Sequence, residues 1–325
     1  MRPLRYVRPQ DQEEAAALVA VDPRARFLGG GTNIVDLMKL GVERPTRLID
    51  VSRVLDDAVE ETPAGGVRIG AGARNSDVAA DPLIRARYPM IAQALLAGAS
   101  GQLRNMATTG GNLLQRTRCL YFQDLTKPCN KREPDTGCPA REGEHRGLAI
   151  LGASDQCVAT HPSDLAVALA ACDALVLTSK RWLTLDELYR PPSDNPHRDT
   201  MLDHGELILA IELPPSAPGL RSRYRKVRDR ASYSFALVSI AAALDLEGDT
   251  GAVRDVRIAL GGVAYKPWRA STAESMLIGS EITTSTLTAA AEAELEHATP
   301  LPDNAFKVTL ARNLIVDVLG ELAAP

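Results

Sequence analysis

The sequence predicts an α+β protein of two domains, and three observations lead there. Strand-like alternation and helix-like spacing both occur along the chain, without the regular βαβ alternation of a parallel sheet. At 325 residues, 45% hydrophobic and 24% charged, the chain is globular and too long for one compact core. The Pro-rich tract ELPPSAPGL around residue 218 divides it, giving expected domains of 1–218 and 219–325.

In chain order, RARFLGGGTNIVDLMKLG reads as a short strand, a glycine turn and a helix capped by Thr32 or Asn33 with Gly41 just past its end. RLIDVS and GVRIGAG follow as strands. From Pro89 to Leu103, PMIAQALLAGASGQL has the spacing of a buried helix, leading to a second glycine turn in RNMATTGGNLLQ. Residues 116–157 show neither the helical nor the strand period and mix Pro, Gly and both signs of charge. A loop of that length inside a compact domain is expected to be functional or disordered. Then DLAVALAACDALVL is a buried helix running into a strand, and GELILAIELP is a strand. Beyond the Pro-rich tract come a basic strand, RYRKVRDRASY, an apolar segment, FALVSIAAALDL, and a strand, VRDVRIALGG. Two helices close the chain, around TAAAEAELEHA and NAFKVTLARNLIVDVLGEL.

Composition excludes several classes. A net charge of -4 and a pI near 5.8 argue against broad nucleic-acid binding. The longest apolar runs fall short of the about 20 residues a membrane span needs, and the N-terminus lacks the layout of a secretory signal, so the chain alone is expected in the cytoplasm. Five cysteines, an odd count, favour metal or redox use over a disulfide scaffold.

The turns GGGTN (29–33) and TTGGN (108–112) carry the first functional signal. A diphosphate needs several converging N–H donors at close range, which glycines at a helix start provide together with the positive end of the dipole. A bare turn needing positive φ explains either alone; two in one chain point to a shared ligand. GAGARN (70–75) begins like a dinucleotide fingerprint but has Asn75 at the third glycine, and reads as a strand end and turn.

These segments, with LRYVRPQDQEEAAAL, HPSDLAVAL, RYRKVRDRASYSFALVSIA and GGVAYKPWRA in that order, make nearly the whole chain resemble the FAD-binding subunit of the molybdenum hydroxylases, the xanthine dehydrogenase and carbon monoxide dehydrogenase group. The resemblance implies a vanillyl-alcohol-oxidase-type FAD domain of two lobes and a smaller α+β C-terminal domain. By position, Phe27, Leu28, Gly29, Gly30, Gly31, Thr32, Asn33 and Ile34 would wrap one side of the FAD diphosphate. Thr108, Gly111 and Asn112 would wrap the other. Asp164 matches an acidic residue used on ribityl or ribose hydroxyls, and Ile208 and Lys226 match positions lining the flavin ring. Asp164 also reads as a helix N-cap, and Lys226, within a basic run, as part of a solvated face or docking patch.

Residues 116–157 are extra relative to ordinary members and hold Cys119, Cys129 and Cys138, with Cys157 at the end, separated by nine, eight and eighteen residues. The insertion resembles that of the iron-sulfur branch, which includes 4-hydroxybenzoyl-CoA reductase and, more closely, the bacterial periplasmic aldehyde oxidoreductase. There, four cysteines hold a [4Fe-4S] cluster. A segment poor in apolar residues cannot offset its conformational entropy by burial and is expected to need such a cross-link. Structural zinc and unligated thiols are the alternatives, although zinc sites favour CxxC pairs that are missing here. His145 could replace one ligand, and Cys172, on an apolar helix, reads as a small buried hydrophobe.

The resemblance implies an electron-transfer subunit of a heterotrimer. Its partners would be a large molybdenum-cofactor subunit and a small [2Fe-2S] subunit, and its acceptor NAD, oxygen, ferredoxin or a quinone. Export with a partner would place it in the periplasm. No residue pattern supports a catalytic acid, base or nucleophile. The rival readings are a stand-alone flavin oxidase and a zinc-stapled assembly protein without flavin.

Overall fold

The computed structural model describes residues 3–193, 195–248 and 250–324. The N-terminal lobe is a small parallel sheet of Arg5–Val7, Arg47–Asp50 and Ala25–Leu28, with Arg47–Asp50 in the middle. Helices Gln12–Ala20 and Ile34–Leu40 accompany it. As the sequence predicts, Ile34–Leu40 starts after Asn33 and ends at Gly41, whose φ of 76° lets its N–H turn back to the Leu37 and Met38 carbonyls.

The second lobe is a five-stranded antiparallel sheet in the order Val59–Glu61, Val67–Gly70, Ile208–Leu213, Leu175–Thr178, Trp182–Thr184. Helices Pro89–Ala97 and Asp164–Ala171 share its core. The helix expected over 89–103 is broken. It stops at Ala97, Gly98 is extended, Ala99 has φ 48°, and Ser100 caps a separate turn, Gly101–Arg104. Gly98 also abuts Asp164, where a Cβ would lie 3.1 Å from Oδ2. Tertiary packing thus overrides a continuous apolar pattern.

The C-terminal sheet orders Trp268–Arg269, Val253–Gly261, Val238–Leu246 and Arg221–Val227, all antiparallel. The apolar run FALVSIAAALDL is its central strand, buried on both faces. Ala241 and Ala243 face the core shared with helices Pro89–Ala97 and Asp164–Ala171, while Ile240, Ala242 and Leu244 face helices Ser271–Leu277, Thr284–Leu295 and Phe306–Ala323. Small alanines on one face allow helices Pro89–Ala97 and Asp164–Ala171 to approach. The basic strand splits by its period of two. Arg223 and Arg225 pair with Asp317 and Glu321 on the last helix, while Tyr224 and Lys226 point the other way.

Residues 116–157 depart from expectation. They contain a short helix, Leu120–Gln123, and a 3-10 turn, Pro139–Arg141, and they bury an apolar core of their own. Phe122, Ala140 and Leu148 pack with the cysteines and with Leu37 from the N-terminal lobe, Val158 and Ala159. Ile150 and Leu151 belong to the C-terminal core. The segment looked structureless because neighbouring elements complete its core, leaving no period within the segment itself. A buried charge chain also fastens it. Arg116 bonds Glu43 at 2.7 Å and Asp199, and Lys131 bonds Asp199 at 2.5 Å and the Pro196 carbonyl at 2.9 Å.

Candidate functional site

The two glycine turns touch. A Cβ on Gly29 would lie 2.8 Å from Thr108 Oγ1, and one on Gly30 would lie 1.8 Å from the Met106 carbonyl oxygen. Only a bare backbone permits this approach. Among the described residues, the amides of Gly30, Gly31, Thr32 and Asn33 make no hydrogen bond to a protein acceptor. Thr108 caps helix Thr109–Leu113 by accepting from the Gly111 amide, so the second turn is fixed locally.

Beside the turns opens a cleft of about 560 Å³. Of the predicted residues, Thr32, Asn33, Gly111, Asn112, Asp164 and Lys226 line it. Phe27, Leu28, Gly29, Gly30, Gly31, Ile34 and Thr108 are not among the residues that line it. Ile208 is not brought to the cleft. It is buried in the five-stranded sheet, 2% exposed, within the core that also holds Val176 and Ile211. A register irregularity where Thr178 pairs with Ile208 sets it in the same core as Ile211, three residues on, which a motif match does not reveal.

Asp164 begins helix Asp164–Ala171, but Ser163 supplies the N-cap, accepting from the Ala166 amide. That frees the Asp164 carboxylate for other partners. Lys226 donates to it at 2.7 Å and the Tyr224 hydroxyl at 2.5 Å. Both Lys226 and Asp164 have nearly buried side chains, 3% and 10% exposed. Lys226 is therefore an internal ion pair rather than part of a solvated basic face. Burial, reinforced by the Asp164 charge, pushes the Tyr224 phenol well up. Ser163 Oγ also donates to Asn112 Oδ1 at 2.6 Å, linking the second glycine turn to this helix.

Sequence reasoning missed part of the wall. Asn75, read as a turn residue, lines the cleft with a buried Oδ1 that has no partner, and Asn33 has an equally orphaned Nδ2 while its Oδ1 accepts from the Arg116 amide. Buried polar atoms of this kind call for a partner. An acceptor and a donor facing a cleft suit a ligand rich in both. His161 stands on the wall against Tyr189, ring centroids 4.5 Å apart, and burial lowers its pKa to about 4, so it is neutral near pH 7. The motif HPSDL contained His161, but nothing in its spacing separated a wall residue from a core one.

All four predicted cysteines, Cys119, Cys129, Cys138 and Cys157, surround one small cavity of about 10 Å³, room for about one water. Cys119 lies in the wall of this cavity and of the large cleft as well. Burial pushes the Cys119, Cys138 and Cys157 thiols up, Cys157 to about 11. Among the described residues, no three His, Cys, Asp or Glu side chains are set as a single metal ion would need. His145 is turned away from the cysteines, its Nε2 accepting from the Asp303 amide at 2.9 Å. Cys172 is buried in the main core, as its apolar setting predicts.

No described helix is long and apolar enough to cross a membrane.

Comparison with known proteins places this geometry. The family described as "FAD binding domain in molybdopterin dehydrogenase" matches residues 2–216, and that described as "CO dehydrogenase flavoprotein C-terminal domain" matches residues 222–322. The chain is 49% identical to the aldehyde oxidoreductase FAD-binding subunit PaoB of Escherichia coli (strain K12), over 100% of this chain and 99% of that one. It is 27% identical to the glyceraldehyde dehydrogenase medium chain of Sulfolobus acidocaldarius, over 85% of this chain and 82% of that one. Its structure overlays carbon monoxide dehydrogenase from Hydrogenophaga pseudoflava with a TM-score of 0.74 at 25% identity, covering 98% of each chain. The chain belongs to the family of FAD-binding molybdopterin dehydrogenase proteins with a CO dehydrogenase flavoprotein C-terminal domain.

Proposed function

We propose that this chain is the FAD-binding electron-transfer subunit of a molybdenum-containing oxidoreductase of the aldehyde oxidoreductase type. The observation that carries the reading is the meeting of two bare-backbone turns beside one cleft that Asp164 and Lys226 also face. In this reading residues 1–218 form the FAD domain and 219–325 the C-terminal domain. The amides of the turns hold the diphosphate, Asn33 and Asn75 satisfy their orphan atoms on it or on the adjoining sugar, and Asp164 orients a ribityl or ribose hydroxyl. Lys226 and Tyr224 keep that carboxylate in place. Neutral His161 encloses the cleft without adding charge. FAD, when bound, supplies chemistry in which electrons enter and leave singly or in pairs.

Four cysteines lining one cavity supply the donor type that a [4Fe-4S] cluster takes, which supports reading them as its ligands. The cavity between them is smaller than such a group, so loading requires the segment 116–157 to widen around it. The cluster would add a one-electron site next to the flavin cleft, since Cys119 borders both. The partners in this reading are a large molybdenum-cofactor subunit and a small [2Fe-2S] subunit, as the relatives' descriptions as medium chains and as an FAD-binding subunit support. The complex is periplasmic if a partner carries the export signal and cytoplasmic otherwise.

The test is purification of the native complex with flavin and metal analysis. One FAD and four additional irons per chain, beyond those of the small subunit, are expected. FAD without the extra iron would refute the cluster, and a complex lacking FAD would refute the reading as a whole.

A further inference from the structure

Five cationic side chains border the cleft: Arg104, Arg118, Arg146, Lys226 and Arg230. Four are accounted for. Arg104 donates to the Gly98 carbonyl at 2.6 Å, and Arg146 forms a two-point pair with Asp229 at 2.9 and 3.0 Å. Lys226 holds Asp164, and Arg230 donates to the Tyr233 carbonyl. Arg118 alone, among the described residues, has neither a hydrogen bond nor a carboxylate within ion-pair distance, and its Nε is buried. Its guanidinium lies over the Phe235 ring, 5.1 Å from the centroid, a contact that offsets only part of the cost of desolvating a full charge.

Arg118 also lines the same cleft as Thr32 and Asn33 of the first glycine turn and Gly111 and Asn112 of the second. The backbone runs from Asn112 of the second turn to Arg118 in six residues, and on the way the Arg116 amide donates to Asn33 of the first. The turns themselves supply only neutral N–H donors. FAD carries one permanent anionic group, its diphosphate, while its oxidised ring and its sugars are neutral.

We propose that Arg118 is the counter-charge for the diphosphate of the dinucleotide held in this cleft, with Phe235 as the platform that fixes its guanidinium. The assignment rests on reading the cleft as the FAD site, and deepens it. It comes from the start of the 116–157 segment, so the same loop that brings Cys119 to the cleft wall also brings a charge into the cleft.

The test uses the full chain stripped of flavin and titrated with FAD and with riboflavin, which lacks phosphate, by quenching of flavin fluorescence. Arg118→Met is expected to loosen FAD at least about tenfold and riboflavin by less than about twofold, while Arg118→Lys keeps most of the FAD affinity by keeping the charge. Wild-type FAD affinity should weaken as salt rises, and the Met variant should lose much of that dependence. Equal FAD affinity in wild type and Arg118→Met overturns the assignment while leaving the cleft as the FAD site, and so does an equal loss for riboflavin and FAD. Wild-type protein that binds no FAD overturns both. If Arg118→Met does not fold, as judged by its thermal transition, Arg118→Gln against Arg118→Lys makes the same comparison.

Discussion

Gly30 and Met106 meet backbone to backbone, with space at Gly30 for hydrogen and nothing larger: a Cβ there would lie 1.8 Å from the Met106 carbonyl oxygen and 3.0 Å from Ala107 Cα. Neither atom is the end of a flexible side chain that can swing away. The contact locks the first glycine turn to the helix-to-helix passage that leads into the second. Gly30→Val must therefore part the two turns. We expect it to lose FAD and to lower stability by about 1–3 kcal/mol from overpacking, measured by flavin content and by urea unfolding. Stoichiometric FAD in a stable Gly30→Val protein would show that the contact is not needed.

Gly111 gives a contrasting case. Its Cβ would meet only Thr108 Oγ1, at 2.8 Å, and the residue lines the cleft. Gly111→Val is expected to fold at a cost of about 1 kcal/mol from the disturbed Thr108 cap while binding FAD at least about a hundredfold more weakly, because the branched side chain fills the approach to the turn. FAD retained at full stoichiometry after dilution counts against the loop's role.

The Asp164–Lys226 pair is nearly buried, so removing one partner strands the other. Asp164→Asn leaves the Lys226 ammonium facing a neutral amide and is expected to cost roughly 3–5 kcal/mol, with a comparable loss for Lys226→Met. The double variant Asp164→Asn, Lys226→Met should be more stable than the two losses added together, because no lone charge remains. Additive losses in urea unfolding would mean that the pair is not coupled.

Much of this site was legible in the sequence, and the misses have physical causes. The glycine turns, the helix after Asn33 and the position of Asp164 follow from local chemistry: bare backbone, a cap, and Gly41 at the helix end. The four cysteines could be grouped by type and order before their convergence was visible. Ile208 lies in the core and not on the cleft wall, because the strand is irregular where it pairs with Thr178, and a motif match carries no sign of that. The continuous helix over 89–103 failed at Gly98–Ser100 because the Asp164 side chain occupies the space beside it. Asn75 and His161 lie inside sequence motifs without a signal that marks them as cleft residues, and Arg118 lies in none; their place is set only when distant segments enclose them. The apolar content of 116–157 was underestimated because Leu37, Val158 and Ala159 complete its core from outside.

Lys307 couples this packing to pH. Its ammonium is fully buried and donates only to the Leu148 and Gly262 carbonyls, at 2.9 and 2.8 Å. Burial, with a smaller contribution from Arg146, lowers its pKa from 10.5 to about 7. Between about pH 7 and 10.5 the unfolded chain binds the extra proton, so stability from this group rises with pH across that window. Below it both states are protonated and the full penalty, on the order of 5 kcal/mol, applies. Urea midpoints at pH 6.5 and 9 should rise with pH in the wild type and rise less in Lys307→Met, in which every other titrating group is unchanged. The same slope in both proteins would remove Lys307 from the account.

In the proposed reading four cysteines are cluster ligands and Cys172 is core filler. Cys129→Ser is expected to remove the extra iron and to expose segment 116–157 to proteolysis while leaving FAD bound. Cys172→Ser, altered in the main core, should keep its iron. Iron content equal to wild type in Cys129→Ser would refute the ligand set.

The most direct measurement is a structure of the full chain loaded with FAD. We expect the diphosphate within about 3 Å of amide nitrogens from both the 29–33 and 108–112 turns. A dinucleotide whose phosphates lie beyond the reach of either turn, or which binds outside the cleft that Asp164 and Lys226 line, would contradict the account.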